Sequence, residues 1–187
     1  MSTPTRCPWP GNDPLYIAYH DEEWGKPEHD DAKLFELLIL EGFQSGLSWI
    51  TILRKRENFR AAFANFDPKA LSNWSDEALA FCLENPGIIR NRLKIQSVRT
   101  NARAFIQIQE KFGSFDRFIW EYVQQRPITN QFAEHPELPA QTDLSVRISK
   151  DLKKLGFKFV GPTICYSFMQ AAGLVNDHLT SCYCYKK

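Results

Sequence analysis

The segment Leu155-Gly-Phe-Lys-Phe-Val-Gly-Pro-Thr163 lies between two stretches whose apolar residues have helical spacing. Gly156 is suited to end the first helix in a left-handed conformation, because glycine adopts positive φ without strain. Pro162 is suited to the first turn of the second helix, where no backbone N–H is needed. The segment therefore predicts a helix, a tight hairpin and a second helix.

This hairpin has the features of a phosphate-binding element. The first N–H groups of a helix have no partner within the helix and carry partial positive charge. Gly161 lets the backbone approach another molecule closely, and Lys158 adds a full positive charge. A tight turn between two core helices has the same sequence features, so the hairpin alone leaves both interpretations open.

The rest of the chain also has the spacing of amphipathic helices. Residues that favour a helix N-terminus precede six segments, at Asp13, Asp30 or Asp31, Ser48, Asp67, Ser75 and Ser114. The helix after Ser48 is expected to run through Phe63, and the long helix that carries Ile95 to Ile106 is expected to close at Gly113. No segment alternates with period two for long enough to predict a sheet. The expected fold is all-α, with two interleaved helical lobes and one long connection across Pro127–Pro139.

Composition limits the possible functions. The 187 residues are enough for one domain with a substantial core, and the formal net charge is only +1. Any DNA contact must therefore come from local clusters of positive charge. Three such clusters are present, each of which is also compatible with a plain solvated helix face: Arg54, Lys55, Arg56 and Arg60; Arg90, Arg92, Lys94, Arg99 and Arg103; Lys150, Lys153, Lys154 and Lys158.

Location and redox state follow from the termini and the cysteines. The N-terminus has no apolar signal region, and the longest aliphatic run, Leu37 to Leu40, is far too short to span a bilayer. We expect a cytoplasmic monomer with no membrane partner. The odd number of five cysteines favours reduced thiols or metal ligands over disulfides.

Soft metal ligands occur near both ends of the chain. Cys7 and His20 lie near the start, and His178 and Cys182 lie near the end. Two thiolates and two imidazoles satisfy tetrahedral zinc and leave no open position for a reactive water, so such a site would be structural. Ordinary hydrogen bonding of the histidines is the alternative. His135 has no neighbouring cysteine and is left out of the set.

Four longer segments closely resemble the DNA-3-methyladenine glycosylase I family, within the helix-hairpin-helix glycosylase superfamily. The segments are Asp13-Pro-Leu-Tyr-Ile-Ala-Tyr-His-Asp-Glu-Glu-Trp-Gly25, Leu40-Glu-Gly-Phe-Gln-Ser-Gly-Leu-Ser-Trp-Ile50, Gly87-Ile-Ile-Arg90 and Gly156-Phe-Lys-Phe-Val-Gly-Pro-Thr-Ile-Cys-Tyr-Ser-Phe-Met-Gln170. The resemblance extends from about Cys7 to Cys182. It implies a single helical glycosylase domain over 1–187, with the helix-hairpin-helix element at about 143–172, and no redox cofactor. It also implies one structural zinc ion, bound by Cys7, His20, His178 and Cys182.

The resemblance implies an activity as well. The family hydrolyses the N-glycosidic bond of 3-methyladenine in alkylated double-stranded DNA, which releases free 3-methyladenine and leaves an abasic site. A flipped cationic base needs aromatic faces and a carboxylate. Glu41 matches the base-recognising glutamate of the family, and Trp49 matches its pocket tryptophan. Tyr16 and Tyr19, three residues apart on one helix, are expected to complete the aromatic wall, although core packing is an alternative for Tyr19.

Fewer residues point to the chemistry at the sugar. Related glycosylases that also cut the strand carry a lysine where this chain has Thr163, so no lyase step is expected. We expect water to attack a sugar cation stabilised by Glu41, the one catalytic candidate, and by the DNA phosphates. Asp177 adjoins His178 and is expected to support the metal ligands. Leu47, beside Gly46, is a candidate wedge for the gap left by the flipped base.

The predicted DNA contacts are Leu47, Lys158, Gly161 and Thr163. Two other classes of protein remain as alternatives. A non-catalytic DNA-binding module needs the hairpin but not a carboxylate among aromatic residues. A zinc hydrolase acting on a small nucleotide needs an open metal position.

Overall fold

The computed structural model describes residues 4–185, which form a helical fold. Residues 1–3 and 186–187 of the predicted 1–187 domain lie outside this part. Its α-helices are α1 (Pro14–Glu22), α2 (Asp31–Gln44), α3 (Trp49–Arg54), α4 (Arg56–Ala62), α5 (Pro68–Ser72), α6 (Asp76–Cys82), α7 (Arg92–Phe112), α8 (Phe115–Trp120), α9 (Asp143–Lys154) and α10 (Pro162–Ala171). The expected all-α class is confirmed. None of the helices in 4–185 is long and apolar enough to cross a membrane.

Side-chain caps explain where many of these helices begin. Asp13 accepts hydrogen bonds from the amides of Leu15 and Tyr16 at the start of α1. Asp30 caps α2 through the amide of Lys33. The same kind of bond caps α5, α6 and α8, through Asp67, Ser75 and Ser114. Each cap satisfies amides that the helix itself leaves free, so these predicted starts are confirmed.

Two predictions of local structure differ from the fold. The helix expected from Ser48 through Phe63 is broken at Lys55, whose φ of −101° and ψ of 1° separate α3 from α4. Lys55 Nζ donates to the carbonyls of Pro86 and Gly87 at the break. Apolar spacing continues across a single-residue break, so periodicity does not reveal it.

The second difference is a minimal parallel sheet. Strand β1 (Ile128–Thr129) pairs with β2 (Val175–Asn176), with Ile128 opposite Val175. Two residues are too few to produce an alternating sequence pattern. The pairing ties the long connection after α8 to the segment that follows α10.

One continuous core unites the helices. It is rich in phenylalanine and leucine, and its buried members run from Tyr19 to Val175. The helices of residues 4–185 therefore share one main core, and no boundary between two lobes is visible in it. A second, smaller cluster contains Cys7, Leu179 and Cys182, and it joins the two ends of the described chain.

The predicted tight turn joins α9 to α10. Gly156 has a φ of 98°, and Gly161 precedes Pro162 at the start of α10. The buried Asn101 holds the turn at two points, accepting from the amide of Lys158 at 2.8 Å and donating to its carbonyl at 3.1 Å. The turn also lies against α2, because a Cβ atom on Gly42 would be 3.4 Å from Cβ of Phe159.

Candidate active site and metal cluster

A cavity of about 250 Å³ opens between the N-terminal segment, α1–α3 and α10. Its lining residues are Trp9, Tyr16, Tyr19, Trp24, Glu41, Gln44, Trp49, His135, Leu138, Ser167 and Gln170. The four residues predicted to bind a base, Tyr16, Tyr19, Glu41 and Trp49, all belong to this set. The structure therefore brings them together, on three successive helices.

The walls of the cavity are aromatic. The rings of Trp9 and Tyr16 lie 4.8 Å apart between centroids, and those of Tyr19 and Trp49 lie 5.4 Å apart. Trp24 packs against Trp9 at 5.1 Å. Such faces suit a flat ligand, and they attract a cationic one through the negative potential above each ring.

Among the described residues that line the cavity, Glu41 has the one carboxyl group. Its side chain projects from α2 and is only 3% exposed. Its Oε2 atom is buried without a hydrogen-bond partner in residues 4–185, and the same is true of Trp49 Nε1. Burial raises the pKa of Glu41 to about 8. An unpaired buried carboxyl is costly in the free protein, so the cavity is suited to a ligand that brings positive charge.

The four predicted metal ligands form one buried cluster. Their ligand atoms, on Cys7, His20, His178 and Cys182, all lie within 4.8 Å of one another. His178 Nδ1 is 3.7 Å from Cys7 Sγ and 3.6 Å from Cys182 Sγ, and His20 Nε2 is 3.6 Å from Cys182 Sγ. Tetrahedral zinc, with bonds of about 2.3 Å to sulfur and about 2.1 Å to nitrogen, separates such atoms by about 3.6 Å. The donor set and its spacing fit zinc.

The outer nitrogen atoms of both histidines are also held in place. His20 Nδ1 donates to Asp21 at 2.7 Å, and Asp21 in turn accepts from Arg6. His178 Nε2 donates to the carbonyl of Trp24 at 3.1 Å. These bonds leave the inner nitrogen of each ring free to bind a metal.

The prediction that Asp177 supports the metal ligands is wrong. Its carboxylate accepts hydrogen bonds from Asn130, Tyr166 and Gln170, and it makes none to either histidine ring. The side chains of Asp177 and His178 leave the backbone in different directions, which adjacency in sequence does not reveal. Asp21 and the Trp24 carbonyl occupy the supporting positions instead.

Comparison with known proteins identifies the family of this chain. The model of the methyladenine glycosylase family matches residues 9–185. The chain belongs to this family. The family predicted from the sequence is confirmed.

Individual relatives match along nearly the whole chain. DNA-3-methyladenine glycosylase 1 of Escherichia coli strain K12 is 53% identical over 180 residues, covering 96% of each chain. A crystal structure of 3-methyladenine DNA glycosylase I, also 53% identical, superposes with a TM-score of 0.95 over 97% of this chain and 100% of that one. The Staphylococcus aureus enzyme, from a structural study of 3-methyladenine recognition, is 37% identical with a TM-score of 0.94 and covers 97% of each chain.

Several cavity residues of this methyladenine glycosylase family member were not predicted. Trp9 and Trp24 are the largest of them, and both lie close in sequence to a predicted metal ligand, Cys7 or His20. The buried Cys/His cluster therefore lies directly against two walls of the cavity, with Trp9 beside His20 and Trp24 beside His178. Proximity to the predicted ligands was the only feature of the sequence that could have indicated a place in the cavity. An aromatic residue at such a position is equally compatible with core packing. Gln170 of α10 carried no signal in the sequence.

The predicted DNA contacts lie outside the cavity. Leu47 is 41% exposed in the turn between Gln44 and Trp49, which are both lining residues. Lys158 and Thr163 are exposed. Within residues 4–185, the amides of Gly161 and Thr163 donate to no acceptor. The structure thus leaves these groups accessible on the hairpin and on the turn after α2.

Several residues of the predicted basic clusters are paired or buried within the protein and are not available to bind DNA. Arg56 and Arg60 both pair with Glu36, which is buried on α2, and Arg54 pairs with Asp13. Lys94 is buried, and its Nζ donates at 2.9 Å to the carbonyls of Phe43 and Ser45. These charges stabilise the fold around α2 and the turn that carries Leu47. Local charge counts do not distinguish this role from nucleic-acid binding.

Proposed function

We propose that this protein removes 3-methyladenine from alkylated double-stranded DNA by hydrolysing the N-glycosidic bond. The observation that carries the proposal is the unpaired carboxyl of Glu41, buried among aromatic rings. The relatives support the same activity, since they are DNA-3-methyladenine glycosylases. Free 3-methyladenine and an abasic site are the products.

The chemistry follows from the charge of the damaged base. Methylation at N3 gives the adenine ring a positive charge, which makes it a good leaving group. When the glycosidic bond breaks, its electron pair goes to the base and neutralises it. The sugar is left as a cation that takes a hydroxyl from water, and one proton is released. In this proposal Glu41 is the catalytic residue, which binds the cationic base and stabilises charge near the sugar.

Entry to the cavity requires the base to leave the helix. Stacked bases cannot reach a concave pocket, so the nucleotide is flipped out. Leu47, exposed beside the cavity, fills the gap as a wedge. The helix-hairpin-helix element at about 143–172 holds the DNA backbone through Lys158 and the free amides of Gly161 and Thr163. The lysine of strand-cutting relatives is replaced by Thr163, so the activity stops at hydrolysis.

The proposal also covers the domain organisation, oligomeric state and location of the protein. We propose a single domain over 1–187, because one core unites the described helices and a second cluster joins both ends of the described chain. We expect this domain to work as a monomer. The named relatives come from bacteria, whose DNA lies in the cytoplasm. We place the protein there.

The metal of the buried cluster is proposed to be one structural zinc ion. Cys7, His20, His178 and Cys182 use all four positions of a tetrahedral site, so no position is left for a reacting water. Its role is to join the N-terminal segment, with Trp9 and Tyr16, to the segment that follows α10.

Replacing Cys182 by serine is expected to abolish zinc binding and to lower the melting temperature by about 10 °C or more. The reason is that the cluster loses one of its two thiolates. Cys184→Ser is the matched control, since Cys184 lies two residues away but belongs only to a second grouping, with His20 and Asp21. It should keep the metal. Metal analysis and thermal unfolding measure both effects, and zinc loss in Cys184→Ser with retention in Cys182→Ser would reverse the assignment.

The function itself is tested by incubating methylated duplex DNA with the protein and assaying released base. Free 3-methyladenine together with intact but abasic strands is expected. Binding of the DNA without base release would indicate a non-catalytic module. Turnover of free nucleotides that stops on addition of a chelator would indicate a zinc hydrolase.

A further inference from the structure

A buried hydrogen-bond network behind the cavity involves a residue that the proposed chemistry does not use. Asp177 follows β2 and is only 1% exposed. Its Oδ1 accepts from Asn130 Nδ2 at 2.6 Å, and its Oδ2 accepts from the hydroxyl of Tyr166 and from Gln170 Nε2 at 2.8 Å. With three donors directed at it, the carboxylate acts purely as an acceptor.

This network determines which end of the Gln170 amide is already bound within the protein. An amide has one donor end and one acceptor end, and the donor end is bound to Asp177. The acceptor, Oε1, has no donor in residues 4–185. In residues 4–185 the side-chain atoms that are both buried and unpartnered are Glu41 Oε2 and Trp49 Nε1. Gln170 Oε1 is unpartnered but is not one of them, so it is accessible to solvent or to a ligand. Gln170 also lines the cavity, so its free carbonyl oxygen is the end of the amide that is left for a ligand bound there.

A carbonyl oxygen in the wall discriminates between purines. Position 6 of an adenine carries an amino group, which donates hydrogen bonds. The same position of a guanine or a hypoxanthine carries a carbonyl oxygen, which only accepts them. Two acceptors brought together repel each other and leave both without a partner, which is costly in a closed site.

We propose that Gln170, oriented by Asp177, is a specificity-determining residue that selects the amino edge of 3-methyladenine and rejects the carbonyl edge of 3-methylguanine. Gln170 touches the base, and Asp177 is a positioning residue that acts through it. The inference rests on the proposed function and adds to it the choice between two lesions. Glu41 supplies affinity for positive charge, which both methylated purines carry in DNA, so charge alone does not make this choice.

The first test uses methylated duplex DNA that contains both lesions. Gln170→Leu keeps much of the side-chain volume but removes the acceptor. The ratio of 3-methyladenine to 3-methylguanine release, measured in one reaction, is expected to fall by about 10-fold relative to the unchanged protein. The fraction of active enzyme cancels in this ratio, so partial loss of folding does not affect it. Asp177→Asn is expected to lower the ratio as well, because the Gln170 amide loses its fixed orientation.

Gln109→Leu is the matched control. Gln109 on α7 also donates through Nε2 to an aspartate, Asp31, but it does not line the cavity. Its variant should keep the original ratio. An unchanged ratio in Gln170→Leu would overturn the proposal.

The second test needs no variant to fold. The unchanged protein should bind free 3-methyladenine at least about 10-fold more tightly than 3-methylhypoxanthine, which differs in the group at position 6. Equal affinities would overturn the specificity role. Failure of the proposed function is distinguishable from this outcome, because the unchanged protein would then release neither base from DNA.

Discussion

Replacing Glu41 by glutamine is expected to lower the excision of 3-methyladenine by about 100-fold or more while making the protein more stable. The rate falls because glutamine cannot carry the negative charge that offsets the cationic base. Stability rises because the folded-state pKa of about 8 lies above the ordinary value of 4.5. The unfolded chain therefore ionises first as pH increases, and the carboxyl destabilises the fold progressively from about pH 4.5 to about pH 8, by up to about 3 kcal/mol at pH 7.

The same pKa predicts the pH dependence of the reaction. Below about pH 8 the carboxyl of the free protein is mostly protonated, and a proton must leave before the carboxylate can face the cation. We therefore expect kcat/KM to rise with pH and to level off above about pH 8. The profile of Glu41→Gln should lack this rise. Base release from lesion-containing duplexes between about pH 5 and pH 9 measures it.

Glu36 provides the matched control on the same helix. It is also buried, but it pairs with Arg56 and Arg60. Glu36→Gln should therefore lower stability by about 2 kcal/mol or more and leave the pH profile of excision unchanged. The role assigned to Glu41 would be wrong if Glu41→Gln retained the full excision rate and the full affinity for 3-methyladenine.

Replacing Gly173 by alanine is expected to prevent stable folding, at a cost of at least about 4 kcal/mol. Gly173 follows α10 with a φ of 69°, a conformation that side chains disfavour. A Cβ atom there would overlap the backbone carbonyl of Lys26 and the backbone nitrogen of Pro27. Neither neighbour can move easily, because the amides of Gly25 and Glu28 on either side donate to carbonyls at the end of α10.

Gly113→Ala separates the effect of the positive φ from the effect of the steric overlap. Gly113 also has a positive φ, of 90°, but a Cβ atom there would have no neighbour within 4 Å in the described part of the chain. This variant should lose only about 1 kcal/mol, the usual cost of the left-handed conformation. Urea unfolding of both variants gives the difference. Equal losses would show that the contact with the Lys26–Pro27 segment tolerates a side chain.

The sequence predicted the features that depend on local chemistry. Helix starts followed from capping residues such as Asp13, whose side chain satisfies amides one turn away, and the end of α7 followed from Gly113. These relations act over a few residues, so the order of residues is enough to reveal them. The residues alone suggested the ligand set, and the resemblance to a known family strengthened it and identified the pocket residues Glu41 and Trp49.

The unpredicted features depend on the direction of a side chain or on contacts between distant segments. Asp177 and His178 are adjacent, yet one faces Gln170 and the other faces Cys7. Trp9 lines the cavity because its neighbour Cys7 packs against the far end of the chain. Lys94 belongs to a basic cluster in the sequence but is buried against carbonyls. Periodicity and composition carry no information on such contacts.

The contact between Cys7 and His178 spans 171 positions of the chain, and this has a consequence for the order of folding. Local helices form early, whereas contacts between distant segments must first overcome the entropy of closing a long loop. During synthesis the N-terminal ligands must also wait until His178 and Cys182 leave the ribosome. Because Trp9 and Trp24 lie beside that cluster, we expect the aromatic cavity to be completed last. A nascent chain therefore acquires its helical core before it can hold a base.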